Sequence, residues 1–106
     1  MKFSVDKHEK YVVLKLNESK LTNDNTPKLK SEFILLNTDG YCNIVLDLSA
    51  VKQCNDSQDL SSLLFGDRLC KQHSGLFIVT GVNPDVAKIL EMSNLDQSLT
   101  IVSKVD

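Results

Sequence analysis

Tryptophan is missing, and 106 residues include only four glycines, two prolines and three cysteines. With so few glycines the chain carries no G-x-x-x-x-G-K-S and no G-x-G-x-x-G, so no loop is built to cradle phosphates. No G-x-S-x-G elbow surrounds any serine, and neither histidine falls near a strand end, so no catalytic constellation is expected. Cys42, Cys54 and Cys70 are odd in number and widely spaced, without a C-x-x-C pair. They read as reduced, structural thiols rather than a disulfide framework. His8 and His73 sit in polar surroundings without clustered cysteines or carboxylates, which gives no zinc signature. Twelve basic against fourteen acidic residues leave a net charge of -2, which offers nucleic acid no basic footprint. No apolar run approaches the ~20 residues that span a bilayer. The start, "MKFSVDKHEK", lacks the apolar stretch of a signal peptide. A cytoplasmic protein without membrane insertion, cofactor or nucleic-acid partner is the expectation.

What is present is an ordinary globular composition, 42% hydrophobic and 25% charged. A chain of this length can bury roughly two-thirds of its unfolded surface, enough for a single domain over residues 1–106. "KFSVDKHEKYVVLKL" reads as two strands joined by the charged turn Lys7 to Lys10, with Val12, Leu14 and Leu16 alternating. Thr26 before Pro27 starts a helix in which Leu29, Phe33 and Leu36 share one face, and Asn37 to Gly40 end it. "YCNIVLDLSAV" is nearly continuous in apolar residues, as in a strand covered on both faces. "LSSLLFGDRLC" is a helix with Leu60, Leu63, Leu64 and Cys70 in one stripe and Phe65 and Leu69 on the other side. "GLFIVTGV" is a further buried strand. Asn83 and Pro84 then open a helix carrying Val86, Ile89 and Leu90, Asn94 stops it, and a last strand lies near Leu99 to Val102. Strands alternating with helices imply an α/β domain: a mixed sheet of about five strands, an N-terminal hairpin and helices from β-α crossovers.

The corner "CNDSQDL", between a buried strand and a helix, holds Asn55, Asp56, Ser57, Gln58 and Asp59. Two readings fit it. Asp56 or Ser57 can cap a helix beginning near Gln58, with Asp59 complementing the dipole. Alternatively, an accessible serine hydroxyl at a helix start can take a phosphate, adding close to two negative charges beside Asp56 and Asp59. Such a charge can break a docked interface without unfolding the domain.

"NIVLDLSAVKQCNDSQDLSSLL" followed by "GLFIVTGVNPDVAKILEMSNLD" resembles the STAS domain of bacterial anti-sigma factor antagonists. Val45, Asp47, Leu48, Ser49 and Val51 match the strand motif V-x-D-L-S-x-V. Leu60, Leu63 and Leu64 match the helix after it, and Gly81, Val82, Pro84, Val86, Leu90, Leu95 and Asp96 match the later module. The resemblance implies a non-enzymatic module that binds an anti-sigma factor with serine kinase activity, as a monomer or weak dimer. It places the phosphorylated serine of the family's D-S-S-G-L at Ser57, reversed by a phosphatase, with Asn55, Asp56, Gln58, Asp59 and Ser61 facing the partner. Here "NDSQDL" is one residue longer than that loop and contains no glycine, and the family's C-terminal helix reads as absent or cut short. An alternative within the same family is the scaffold subunit of a lipid-transport ATPase complex, which needs no phosphorylatable serine. A third reading, a small-molecule-binding or hydrolytic α/β domain, would need a sizeable pocket.

Overall fold

The computed structural model describes residues 2–22, 24, 26–54 and 60–102. Strand β1 (Phe3–Lys7) pairs antiparallel with β2 (Val12–Leu16), which forms the expected hairpin. A two-residue strand β3 (Lys20–Leu21) and helix α1 (Thr26–Thr38) follow. Then come β4 (Ile44–Asp47), the two-residue β5 (Gln53–Cys54) and helix α2 (Ser61–Gln72). Strand β6 (Phe77–Thr80), helices α3 (Pro84–Met92) and α4 (Leu95–Ser98), and β7 (Thr100–Val102) complete the order. The main sheet runs β1-β2-β4-β6-β7, parallel throughout except at the hairpin, while β3 and β5 form a separate parallel pair.

The alternation in β2 appears as buried Val12, Leu14 and Leu16, and their row continues through Ile44 and Leu46 on β4 and Phe77 and Val79 on β6. Leu29, Phe33 and Leu36 of α1, Leu63 and Cys70 of α2, Val86 and Leu90 of α3, and Leu95 of α4 join these residues in one core. The helices thus bury their apolar stripes against one face of the sheet. Ile44, Val45 and Leu46 of β4 are all buried, as expected from its continuous apolar run, but only Ile44 and Leu46 belong to this core. Val45 points away from this core, yet it is only 5% exposed, flanked in register by half-buried Val13 and Ile78. Branched neighbours on both sides remove most of its solvent contact without a second helical layer.

Local signals account for most boundaries. Gly40, at φ +98°, closes α1 with the paired bonds of a left-handed stop: its own N–H donates to Asn37 O at 3.0 Å and Tyr41 N–H to Leu36 O at 3.1 Å. Asn94, at φ 59°, ends α3 in the expected way. Phe65 and Leu69 are half-buried against the same core as the main stripe of α2, so its two apolar sides serve one interior. Midway along α2, Gly66 lets the helix settle onto the edge-to-face pair Phe33–Phe77, whose centroids are 5.3 Å apart. A Cβ there would come within 2.7 Å of the Phe77 ring and 2.9 Å of the Phe33 ring. Cys54 and Cys70 are buried and Cys42 is half-buried, and none of the three is in a disulfide. Burial pushes the Cys70 thiol up to about 11, opposed by the Ile44 backbone.

Candidate functional site

In parallel sheets, sites gather beyond the carboxyl ends of the strands, and here that rim is built by β4, β6 and the connections leaving them. Asp47 ends β4 and turns its carboxylate back on the chain, with Oδ1 accepting the Ser49 N–H at 2.8 Å. That side-chain turn replaces a strand bond as the backbone leaves the sheet. Leu48 N–H still reaches Thr80 O across to β6 at 2.9 Å, and Val51 N–H closes a turn on Leu48 O at 2.9 Å. Gly81 leaves β6 at φ +73°, and a Cβ on it would lie 2.7 Å from Asp47 Oδ1 and 2.8 Å from Ser49 N. Only glycine lets the two strand exits pass so closely.

Asn83 fastens this rim. Its Oδ1 accepts Val86 N–H at 2.9 Å and caps α3, while Nδ2 donates to Val51 O at 3.3 Å and to Lys52 O at 3.1 Å. On the other side the N–H groups of Lys52 and Gln53 donate to Ser19 O at 2.8 and 3.1 Å, which leads into the β3–β5 pair. The segment from Val51 to Cys54 is therefore held from two directions just before the corner. Ser49, Lys52, Gln53, Pro84 and Asp85 are exposed around it.

The expected site residues Asn55, Asp56, Ser57, Gln58 and Asp59 lie outside the described residues, and so does the expected cap at Asp56 or Ser57. Ser61, the remaining one, is exposed at the first position of α2. Helix α2 begins there, three residues beyond the expected Gln58, and Leu60 at its N-cap supplies no side-chain bond. Fully buried Leu60 anchors the helix start to the core instead, so packing sets this boundary. No acidic residue occupies the first turn of α2, which leaves the positive end of its dipole uncompensated from within the helix. The second role of Asn83 escaped the sequence reading, because an Asn-Pro start announces a cap but not the carbonyls that the same amide reaches. Asp47 and Ser49 were seen as motif positions, not as a hydrogen-bonded turn.

Among the described residues no group of three His, Cys, Asp or Glu side chains is placed to hold a metal ion, and no helix is long and apolar enough to cross a membrane. An open groove of about 720 Å³ runs beside β7, lined by Leu90, Leu99 and Ile101 with the carboxylates Glu91 and Asp96.

Solved structures share this architecture over almost the whole chain. A Thermotoga maritima protein assigned as an anti-sigma factor antagonist is 26% identical with a TM-score of 0.81, the match covering 97% of this chain and 87% of that one. A serine-to-glutamate variant of RsbS from Moorella thermoacetica is 25% identical with a TM-score of 0.74, covering 99% and 89%. The Bacillus cell fate determinant SpoIIAA in its phosphorylated form, 16% identical with a TM-score of 0.70 over 97% and 93%, shares the fold. No curated protein matches by sequence. The family model described as "Mlab, STAS domain" matches residues 3–103. With a match of that length, and an architecture shared with solved STAS structures over almost the whole chain, the chain belongs to this STAS domain family.

Proposed function

We propose that the protein is an anti-sigma factor antagonist, a non-enzymatic module that docks an anti-sigma factor with serine kinase activity through the 55–61 corner and is switched off by phosphorylation of Ser57. A phosphatase resets it. The observation that supports this most is the rim itself: the backbone segment that leads up to residue 55 is clamped from two sides, with Ser49, Lys52, Gln53, Pro84 and Asp85 exposed around it. The V-x-D-L-S-x-V motif precedes that corner, and the α2 N-terminus follows it. A helix start tolerates a phosphate, while close to two added negative charges beside Asp56 and Asp59 oppose a partner that fits the neutral serine. Relatives at 25–26% identity are an antagonist by assignment and a serine variant of RsbS, which agrees in kind.

The test is incubation with a purified anti-sigma factor serine kinase and Mg-ATP, followed by phosphosite mapping, with binding by calorimetry. One phosphate is expected on the wild type and none on Ser57→Ala, while Ser57→Glu loses kinase binding. No phosphate from a kinase that modifies a control antagonist, or phosphate retained in Ser57→Ala, overturns the switch. The longer, glycine-free corner favours one second reading, a constitutive scaffold subunit of a lipid-transport ATPase complex. That reading expects wild type, Ser57→Ala and Ser57→Glu to co-purify equally with a transporter ATPase.

A further inference from the structure

Most polar side chains of the rim act within their own turn, as Asp47 does toward Ser49. Asn83 does not. Its amide bridges elements more than thirty positions apart in the chain, binding two successive carbonyls on one side and a helix N–H on the other. An amide NH₂ has two protons and can serve both carbonyls, while its oxygen has a lone pair for Val86 N–H. The opposite orientation would set oxygen against two carbonyls and NH₂ against an N–H, so the network fixes the rotamer. No other short side chain does all three: aspartate lacks donors, and serine or threonine has a single O–H. The side chain is half-buried, so these bonds are partly shielded from water.

We infer that Asn83 is a positioning residue for the Ser57 corner, because its amide locks the Val51–Lys52 carbonyls to the start of α3 and so sets where the chain enters residues 55–59. The inference rests on the phosphorylation reading above and names how that site is held. The turn after β4 and the first turn of α3 then move as one piece. A kinase that reads Ser57 then meets a lead-in segment already held at Val51 and Lys52, and binding energy is not consumed in ordering that segment.

Asn83→Asp separates the two roles. The carboxylate keeps the cap on Val86 N–H but loses both donors and faces the two carbonyls. Asn83→Ala loses cap and clamp together. Hydrogen exchange at the Lys52 and Gln53 amides, which donate to Ser19 O, reads whether the segment loosens when the clamp on its carbonyls is lost, and Val86 reads the cap. In Asn83→Asp, exchange at Lys52 and Gln53 rises about tenfold with Val86 protected, consistent with two lost bonds of modest net strength. As substrate of the anti-sigma factor serine kinase, the same variant shows KM raised about tenfold at unchanged kcat, a split that follows from lost pre-organisation rather than lost chemistry. Unchanged exchange at Lys52 and Gln53 overturns the clamp, and raised exchange with unchanged KM overturns its role in presenting Ser57. If the wild type takes no phosphate, the phosphorylation reading fails by itself. The positioning of the corner is then decided by exchange alone, supported by the rise and overturned without it.

Discussion

Replacing Gly81 with alanine is the sharpest probe of the rim, because this one position combines two separable costs. Its φ of +73° is left-handed, which charges an L side chain about 1–2 kcal/mol. The new Cβ would also sit 2.7 Å from Asp47 Oδ1 and 2.8 Å from Ser49 N, atoms that are bonded to each other and have no flexible tail to swing away. Breaking that bond to a half-exposed carboxylate adds about 1–2 kcal/mol, the lower part of the range for leaving a polar group unpaired. The total is about 2–4 kcal/mol, or a fall in Tm of about 10–20 °C for a chain of this size. Two other glycines serve as internal standards. Gly40 has φ +98° with nothing within 4 Å of a Cβ, so Gly40→Ala pays the strain alone, about 1–2 kcal/mol. Gly66 has crowding without left-handed backbone. Gly66→Ala gains helix propensity against displaced Phe77 and Phe33 rings and nets roughly 0–2 kcal/mol. Urea unfolding at constant m-value measures all three. The Ser49 amide resonance should move in Gly81→Ala and stay in place in the other two. If Gly81→Ala costs no more than Gly40→Ala, or the Ser49 amide does not respond, the crowding argument is wrong.

Two further outcomes follow from the core. The Cys70 thiol is raised from 9.0 to about 11 by burial, so the folded state holds its proton where the unfolded chain has lost it. Stability is undiminished below about pH 9 and falls as pH rises from there through about 11. Unfolding midpoints across that window should show the decline, and Cys70→Val should flatten it. Ser62 is fully buried with its Oγ lacking a hydrogen-bond partner among the described residues. Ser62→Ala removes an unpaired hydroxyl and should be neutral or stabilising by up to about 1 kcal/mol in urea unfolding. A loss of more than that would reveal a bond that the geometry lacks.

The fold was readable wherever one element carried its own signal. Val12, Leu14 and Leu16 alternate because one face of β2 is buried. Asn83-Pro84 starts α3 because cap and fixed φ act within one turn. What depended on tertiary contact was not readable. Two-residue strands such as Lys20–Leu21 and Gln53–Cys54 are too short to show a period, and their mutual pairing, the burial of Leu21 and Cys54, and the bonds from Ser19 O and the Asn83 amide beside them are all tertiary. The start of α2 coincides with fully buried Leu60, a packing signal that no local period announces. The run through Ile44, Val45 and Leu46 looked covered on both faces, but sequence does not separate a helix overhead from branched neighbours alongside. At the site, motif spacing pointed to the corner, and the polar contacts that hold its entrance became visible only across more than thirty residues of separation.

That separation has a kinetic side. Val12 pairs with Ile44, and Ile44 with Phe77, so each parallel ladder through the sheet centre joins residues more than thirty apart. Neither ladder can form before a long loop closes, and among the strand pairs of the described residues only the β1–β2 hairpin is local. A domain wired this way should fold in milliseconds or longer rather than microseconds. Until β4 is captured between β2 and β6, its apolar edges stay open to other chains, which makes the middle strand the part of the molecule most in need of prompt burial during synthesis.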